Sequence, residues 1–421
     1  MGHQEIVRTS VLASCFLFLV ILFIVKTQKR ELNWALFYSV LWTTFSLTII
    51  NYYCVNTNYW SFNVPETLPL KIPLDLLFVW IIFWGIIPFF IFKGRHTLIL
   101  FLGLFFLDIL LMPALEKTGI ITLNDSWLIG ECIVLICVWL PSYLWASFYY
   151  HKKQLAIRSL FQVTIMTLFI FIVIPFTVQF HNNLNFEIPN FNPYLFQIAF
   201  IIAFPSLSAV VDLFKVGNGT PFPYDMTSKL VKNGVYAYCR NPIQWSFTLI
   251  FIPISIVYAS PLIALGTIIS IAYTVGVSNP QEYSDMEKRF GNEWLYYKKS
   301  VPHWRFLWRP KNHPKGQIYF RKNCTQCEQI KQWFIQKNTT NLDISFDTEF
   351  QSYTLLQVTY VDYLGNEYKS IAAIARGLEH INLIYASLGW FMRFPIIHTV
   401  LQFIIDSMNF DETQESCDIN K

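Results

Sequence analysis

The residues best suited to chemistry lie in two polar segments that flank one apolar hairpin in the second half of the chain. The first, 217–245, contains GNGTPFPYD and LVKNGVYAYCRNPIQW, and the second, 281–304, carries Glu282 near its start. A hairpin that crosses a membrane twice returns both segments to one face. Backbone amides, aromatic rings, Arg240 and Glu282 would make a cleft there that suits a polar, zwitterionic or nucleoside-bearing ligand. The same residue types fit a plainer interpretation equally well, since Tyr, Trp and Arg commonly anchor proteins at membrane surfaces.

A second reactive pair, Cys324 and Cys327, has the spacing of a redox dithiol. It follows a predicted short strand at 317–320 and precedes an apolar helix predicted to end near residue 336. The N-terminus of a helix stabilises a thiolate, and Lys322 adds positive charge nearby. We expect no metal, because no second Cys or His pair follows at zinc-site spacing. The other cysteines are isolated, so the sequence shows no secretory disulfide framework.

The composition requires a membrane around most of the chain. Hydrophobic residues make up 54% of it and charged residues only 14%, against roughly 25% charged in soluble domains. The net charge of +4, with basic residues in loops between apolar runs, gives no indication of nucleic-acid binding. Apolar runs near the roughly 20-residue length that a bilayer needs predict about nine transmembrane helices. They are 9–25, 33–52, 74–92, 97–114, 127–148, 159–179, 193–213, 243–258 and 261–277.

Basic residues in the loops predict the orientation in the membrane. The loops rich in Lys and Arg are 26–32, 93–96 and 149–158, and the alternate loops are poor in both. The positive-inside rule then places the N-terminus outside, and residues 214–242 and those after 278 in the cytoplasm. We therefore expect a multi-pass membrane protein with a cytoplasmic C-terminal domain, in a bacterial inner membrane.

Three carboxylates lie in or near the predicted helices, at Asp108, Glu131 and Asp212. Carboxylates inside a membrane are costly and for that reason are often functional. A position near a helix end, or a hydrogen bond between helices, explains them equally well. We assign them no role from the sequence.

The order of residues around the hairpin resembles the isoprenylcysteine carboxyl methyltransferases and the related phospholipid methyltransferases, over about residues 193–304. The pattern is Leu-Val-x-x-Gly-x-Tyr-x-x-x-Arg-[His/Asn]-Pro, a membrane hairpin, and then Glu, Phe-Gly and Tyr-x-x-x-Val-Pro. The matching residues are Leu230, Val231, Gly234, Tyr236, Arg240, Asn241, Pro242, Glu282, Phe290, Gly291, Tyr297, Val301 and Pro302. Asn241 stands where the carboxyl methyltransferases usually have histidine, which argues against prenylcysteine in particular.

The resemblance implies an S-adenosylmethionine site at the cytoplasmic face, beside a tunnel for a lipophilic or lipidated acceptor. It implies that Arg240 and Glu282 are catalytic, with Arg240 orienting a carboxylate or phosphate of the acceptor. The cofactor-binding residues that it implies are Leu230, Val231, Gly234, Tyr236, Asn241, Pro242 and Glu282. Methyl transfer from a sulfonium requires mainly alignment of the reacting atoms and exclusion of water.

The tail resembles the DCC-type thiol-disulfide oxidoreductases over about residues 317–410. In that order of elements, Cys324 and Cys327 occupy the paired-cysteine positions after the first strand. A hairpin at 358–362 and 367–370 and a helix from about residue 371 follow. The resemblance implies a thioredoxin-like α/β domain that exchanges disulfides with a dithiol partner.

We therefore expect an all-α polytopic membrane protein with a C-terminal thioredoxin-like α/β domain. The predicted parts are N-terminal transmembrane helices at 1–180, a methyltransferase-like module at 181–308, a linker at 309–316 and the thioredoxin-like domain at 317–421. The predicted function is methyl transfer from S-adenosylmethionine to a lipophilic acceptor. Two alternatives stay open: a membrane-anchored thiol-disulfide oxidoreductase whose membrane part is not catalytic, and an NADPH enzyme like the sterol reductases.

Overall fold

The computed structural model describes residues 3–25, 29–63, 72–181, 192–222, 225–311, 313–322, 325–349 and 357–407. The chain divides into two compact units. One comprises 1–186 with 222–225, and the other comprises 187–221 with 226–421. The second unit therefore holds both the predicted methyltransferase-like module and the tail.

The first unit is built from apolar helices and one small sheet. Its helices are α1 (His3–Val25), α2 (Arg30–Asn56), α3 (Leu74–Trp80), α4 (Ile87–Phe92), α5 (Thr97–Lys117), α6 (Trp127–Val134), α7 (Leu140–Tyr150), α8 (Leu155–Leu168) and α9 (Ile174–His181). Strands β1 (Trp60–Phe62) and β2 (Ile121–Leu123) pair antiparallel. Trp139 and Trp145 are completely buried among these helices, so the core of this unit is aromatic.

Proline shapes the long helices of this unit. Short π-helical segments join α3 to α4, α6 to α7 and α8 to α9. A proline follows each segment, at Pro88, Pro141 and Pro175. Proline has no N–H to donate, and its ring clashes with the carbonyl four residues earlier. Ahead of each proline, one turn takes the wider π-helical form with one extra residue, and the helix then continues. The two α-helices on either side of each π-helical segment therefore form one long helix.

The second unit opens with membrane-type helices. They are α10 (Pro193–Lys215), α11 (Pro242–Leu249), α12 (Phe251–Val257), α13 (Pro261–Tyr273) and α14 (Asn279–Ser300). A π-helical segment, Thr274–Ser278, joins α13 to α14 and is followed by Pro280. Inside α14 the backbone departs from helical geometry at Gly291, where φ is 51°.

The structure describes eight helices long and apolar enough to cross a bilayer, or nine if one bent pair in the tail is a single span. The ninth transmembrane helix predicted from the sequence was a different one, at 243–258. That segment, Pro242–Val257, is one of the shorter apolar helices. At 1.5 Å per residue it is about 24 Å long, less than the hydrocarbon thickness of about 30 Å. It is also interrupted at Ile250, where the ring of Pro253 disfavours a regular helix.

The tail folds around a four-stranded mixed sheet. Its elements are β3 (Gly316–Phe320), α15 (Thr325–Gln336), β4 (Leu342–Phe346), β5 (Thr359–Val361), β6 (Glu367–Lys369), α16 (Ile371–Leu378), α17 (Leu383–Met392) and α18 (Pro395–Ser407). The strand order is β4-β3-β5-β6. Strands β3 and β4 run parallel, with Ile318 opposite Ile344, and the other pairs are antiparallel. The predicted first strand, hairpin and following helix are confirmed, whereas β4 was not predicted.

The segment predicted as a linker, 309–316, is packed against the tail. His313 is 2% exposed, and its backbone carbonyl accepts a hydrogen bond of 2.8 Å from Asn341 Nδ2. Gly316 is already the first residue of β3. This connection is therefore part of the folded unit.

Candidate functional site

The loop after α10 is compact because glycine occupies its crowded positions. A Cβ at Gly219 would lie 2.4 Å from the backbone nitrogen of Thr227. At Gly234, φ is +59°, and a Cβ would lie 2.0 Å from Asp212 Oδ2. Arg289 of α14 holds the same loop by donating from Nη1 to the Thr227 carbonyl at 2.8 Å. The glycine spacing noted in the sequence is thus required by close approach of the backbone to its neighbours.

The two polar segments lie against each other, as the sequence predicted. The Arg240 N–H donates to the Pro302 carbonyl at 2.9 Å, and the Leu307 N–H donates to the Tyr238 carbonyl at 2.9 Å. The hydroxyl of Tyr297 donates to the Tyr236 carbonyl at 2.8 Å. Backbone on both sides of the hairpin is therefore held in one fixed register.

The guanidinium of Arg240 is held by hydrogen bonds from both of its terminal nitrogens. Its Nη1 donates to the Lys298 carbonyl at 2.7 Å, and its Nη2 donates to the Tyr283 hydroxyl at 3.1 Å. The group lies 5.3 Å from the ring centre of Tyr283 and 5.7 Å from that of Trp294. Its buried Nε has no hydrogen-bond partner among the described residues. The Nε–Nη2 edge therefore retains donors for a ligand, since guanidinium has five N–H groups.

Asn241 and Glu282 meet beside Arg240. Asn241 Nδ2 donates to Gln244 Oε1 at 2.7 Å and lies 3.4 Å from Glu282 Oε2. Gln244 in turn donates from Nε2 to the Ser278 hydroxyl at 2.8 Å. This series of hydrogen bonds therefore links the start of α11 to the start of α14. It brings together three predicted residues, two of which are neighbours in sequence and the third of which follows the hairpin.

Two buried amide oxygens in the segment from Leu230 to Pro242 lack a donor among the described residues. Asn241 is 6% exposed and Asn233 is 4% exposed, and the Oδ1 atom of each has no hydrogen-bond partner in the described part of the chain. A buried acceptor without a partner costs about 1–3 kcal/mol. A hydroxyl or amino donor would satisfy each of these atoms.

The remaining predicted cofactor residues form the walls of this region. Leu230 is buried with Trp294, Tyr297 and Val301 in one apolar cluster. The other members also lie in the folded loop: Val231, Gly234 and Pro242 are buried, and Tyr236 is half-buried. Their side chains contribute packing, which leaves the polar contacts to Asn233, Arg240, Asn241 and Glu282.

A buried cluster of four charges lies directly behind Gly234. Arg393 Nη1 is 2.7 Å from Asp212 Oδ1, and its Nη2 is 2.7 Å from Glu379 Oε1. Arg376 Nη1 is 3.1 Å from Glu379 Oε2. All four are at most 7% exposed, and two negative charges balance two positive ones. Burial raises the pKa of Glu379, while both arginines lower it.

Sequence reasoning missed three of these four charged residues. Asp212 was noted as a carboxylate near a helix end, but its partner Arg393 is 181 positions later. The cluster also touches the motif itself, because the Tyr238 hydroxyl donates to the Glu379 carbonyl at 2.9 Å. No local pattern around Arg376, Glu379 or Arg393 pointed to this contact.

The predicted redox pair is described in part. Cys327 lies in the first turn of α15, after β3, and is disulfide-bonded. It packs against the core that contains Ile318 and Phe334. Cys324 lies outside the described residues. Within the described ranges, no group of three or more His, Cys, Asp or Glu side chains could hold a metal ion.

An open cavity of about 450 Å³ lies on the surface of α14. It is lined by Pro280, Gln281, Ser284, Asp285 and Lys288. None of the predicted cofactor residues lines it, although Glu282 is adjacent in sequence. The network of Arg240, Asn241 and Glu282 is the chemically specific region, so it remains the candidate site.

Comparison with known families shows which family the module that holds this network resembles. Residues 193–293 match the phospholipid methyltransferase family. The matched segment begins with α10, includes Arg240, Asn241 and Glu282, and ends within α14. Neither the curated proteins nor the solved structures gave a match to this chain. Together with the apolar helices, the match supports a multi-pass membrane protein that carries a methyltransferase module.

Proposed function

We propose that this protein transfers a methyl group from S-adenosylmethionine to a lipophilic acceptor within the membrane. The observation that carries the proposal is the convergence of Arg240, Asn241 and Glu282 inside the segment that matches the methyltransferase family. The unsatisfied oxygens of Asn233 and Asn241 add a requirement for a donor-rich ligand.

Each side chain has a role that follows from its contacts. When bound, the cofactor supplies an activated methyl group on a sulfonium. Glu282 stabilises positive charge, and Asn241, which lies at 3.4 Å, orients its carboxylate. The apolar wall around Leu230 excludes water, which strengthens every electrostatic contact inside. The loop from Leu230 to Tyr236 supplies the backbone that holds the cofactor.

Arg240 is suited to hold the acceptor. Its Nη1 is occupied by the Lys298 carbonyl, which fixes the plane of the guanidinium. Nε, which has no partner in the described part of the chain, and the second N–H of Nη2 match the two oxygens of a carboxylate or phosphate, and such paired charge-assisted hydrogen bonds are among the strongest in proteins. The expected acceptor is therefore a lipophilic molecule with an acidic group close to the methylated atom.

Equilibrium binding of S-adenosylmethionine to the detergent-purified protein tests the proposal. Glu282→Ala should weaken binding by about 10- to 150-fold, as expected for loss of a hydrogen bond to a charged group. The matched control is Glu287→Ala, since Glu287 is an exposed glutamate on the same helix and should leave binding unchanged. Binding of a reduced nicotinamide cofactor in its place would favour the reductase alternative. Binding of neither would leave the tail as the active part.

We propose thiol-disulfide exchange at Cys327 as a second activity, in the tail. Its position after β3, its disulfide and the sheet order β4-β3-β5-β6 are consistent with a thioredoxin-like domain of the DCC type. In the proposed exchange, a partner dithiol is oxidised to a disulfide. In this proposal Cys327 pairs with Cys324, and their disulfide takes up the two electrons and two protons that the partner dithiol releases, which gives two thiols.

Thiol alkylation after equilibration with glutathione tests this exchange. The Cys324→Ser/Cys327→Ser variant should lose the redox-dependent mass shift. Cys239→Ser is the control, because Cys239 is a free, buried thiol whose pKa burial raises to about 12. Methyl transfer that survives in the double variant would exclude the interpretation of the membrane part as a mere anchor.

The proposed orientation places the N-terminus outside and the C-terminal domain in the cytoplasm, in a bacterial inner membrane. It rests on the Lys and Arg content of the loops. A fluorescent-protein fusion at the C-terminus should be bright, and an alkaline phosphatase fusion at the same point should be inactive. The reverse pattern would invert the topology.

A further inference from the structure

The last two helices of the tail present a continuous apolar surface. On α18, Ile396 is 78% exposed, Val400 52% and Phe403 71%. These positions follow the spacing of one helical face. On α17, Ile384 is 65% exposed and Leu388 49%. Large apolar side chains exposed together in this way require a cover.

The other face of α18 is polar, and it carries little charge. His398, Gln402 and Asp406 recur every four residues, and Gln402 Nε2 donates to Asp406 Oδ1 at 2.7 Å. No Lys or Arg occurs among the residues 395–407. The helix is therefore amphipathic, and because it carries no Lys or Arg, its apolar face sets what it binds.

Contacts with α10, one of the helices able to cross a bilayer, indicate how deep in the membrane the turn between α17 and α18 lies. Phe204 of α10 stacks on Phe394 at 5.6 Å and lies 6.3 Å from Phe391. Phe204 is 11 residues before Lys215 at the end of α10, or about 16 Å along the axis. That distance is about half of the hydrocarbon thickness. The turn between α17 and α18 therefore lies beside the middle of a membrane helix.

The exposed surface continues onto α10 itself. Phe196 of α10 is 59% exposed and Ile201 is 68% exposed, as expected for side chains that face lipid. The pair of Arg393 and Asp212 next to the turn between α17 and α18 is buried and neutral overall. This pair therefore adds no net charge that would oppose insertion.

We propose that α17 and α18 form a re-entrant elbow in the lipid bilayer, whose acyl chains cover the apolar face of Ile396, Val400 and Phe403. The two helices meet at an angle of 84°, so the chain enters beside α10 and turns back without crossing. The tail is thus attached to the membrane through this elbow. This holds whether or not the module transfers methyl groups.

Site-specific photo-cross-linking in neutral phosphatidylcholine liposomes tests the elbow. The full-length protein carries benzoylphenylalanine in place of Phe403, and in the control in place of Asp406 on the polar face. Mass spectrometry should find at least about ten-fold more lipid adduct at 403 than at 406, at low and at high salt alike, because acyl chains and not head groups are contacted. Both side chains are exposed, so neither replacement should unfold the protein.

Three results would overturn the proposal. Absence of lipid adducts at 403 would show that the face is not in the bilayer. A cross-linked dimer at 403 would assign the face to a second copy of the chain. Equal lipid adduct at both positions would show that α18 has no lipid-facing side.

Discussion

Replacing Gly234 with alanine measures how firmly the motif loop depends on the buried charges behind it. Gly234 has φ +59°, and an added Cβ would lie 2.0 Å from Asp212 Oδ2. Left-handed backbone costs an L-residue about 1–2 kcal/mol. Making room would also separate Asp212 from Arg393, and breaking a buried ion pair costs about 3–5 kcal/mol. Gly234→Ala should therefore destabilise the second unit by about 4–7 kcal/mol.

Gly365→Ala is the matched control for this measurement. Gly365 has φ +82°, but no atom lies within 4 Å of the added Cβ, so only the backbone cost of about 1–2 kcal/mol remains. For a domain of this size, 1 kcal/mol shifts the melting midpoint by about 2–4 °C. The midpoint of Gly234→Ala, measured by scanning calorimetry in detergent, should thus lie about 6–20 °C below that of Gly365→Ala. Equal midpoints would refute the argument.

A double-mutant cycle locates the clash. In an Asp212→Ala background the new Cβ has room, so adding Gly234→Ala should cost only as much as Gly365→Ala does. Residues in contact typically show such non-additivity. An undiminished cost in that background would place the clash somewhere other than at the Asp212 carboxylate.

Two further predictions concern Arg240 and the buried histidines. Arg240→Lys should lower stability by about 1–3 kcal/mol, because lysine cannot donate both to the Lys298 carbonyl and to the Tyr283 hydroxyl; Tyr283→Phe should cost about 1 kcal/mol, and a harmless Arg240→Lys in thermal melts would argue against these two hydrogen bonds. Burial lowers the pKa of His313 to about 4 and that of His380 well below its usual value. The unfolded state therefore binds more protons below about pH 6.5, so stability should be complete above that pH. It should fall towards pH 4 by up to about 1.4 kcal/mol per pH unit for each histidine. Melts between about pH 8 and pH 5 should show a shallower slope for His380→Gln, and an unchanged slope would exclude this histidine as a source.

The convergence of Arg240 and Glu282 could be predicted from the sequence for a topological reason. An apolar hairpin returns its flanks to one face, so residues before and after it meet whatever the details of packing. The order of the tail elements was also readable, because turn residues such as Gly365 mark the hairpin. The order of the tail elements follows from local sequence signals, and the convergence of Arg240 and Glu282 follows from the rule that a membrane hairpin returns its flanks to one side.

Features that depend on distant partners could not be predicted. Asp212 and Arg393 are separated by 181 positions, and each is unremarkable among its neighbours in sequence. The helix predicted at 243–258 is present as Pro242–Val257, but it is interrupted ahead of Pro253 and falls among the shorter apolar helices rather than among the eight long enough to cross a bilayer. Strand β4 is a different case, because Leu342 to Phe346 alternates apolar and polar residues, so a local signal was present but was overlooked.

The pair between Asp212 and Arg393 also sets an order of events during synthesis. The arginine leaves the ribosome 181 residues after the aspartate, which at about 5–20 residues per second is a delay of roughly 10–40 s. Throughout that interval α10 carries a carboxylate without its cation. Any shortened chain that ends before Arg376 would keep this state permanently. The Asp212 carboxylate of the methyltransferase-like module therefore gains its cationic partner only after most of the last domain has been translated.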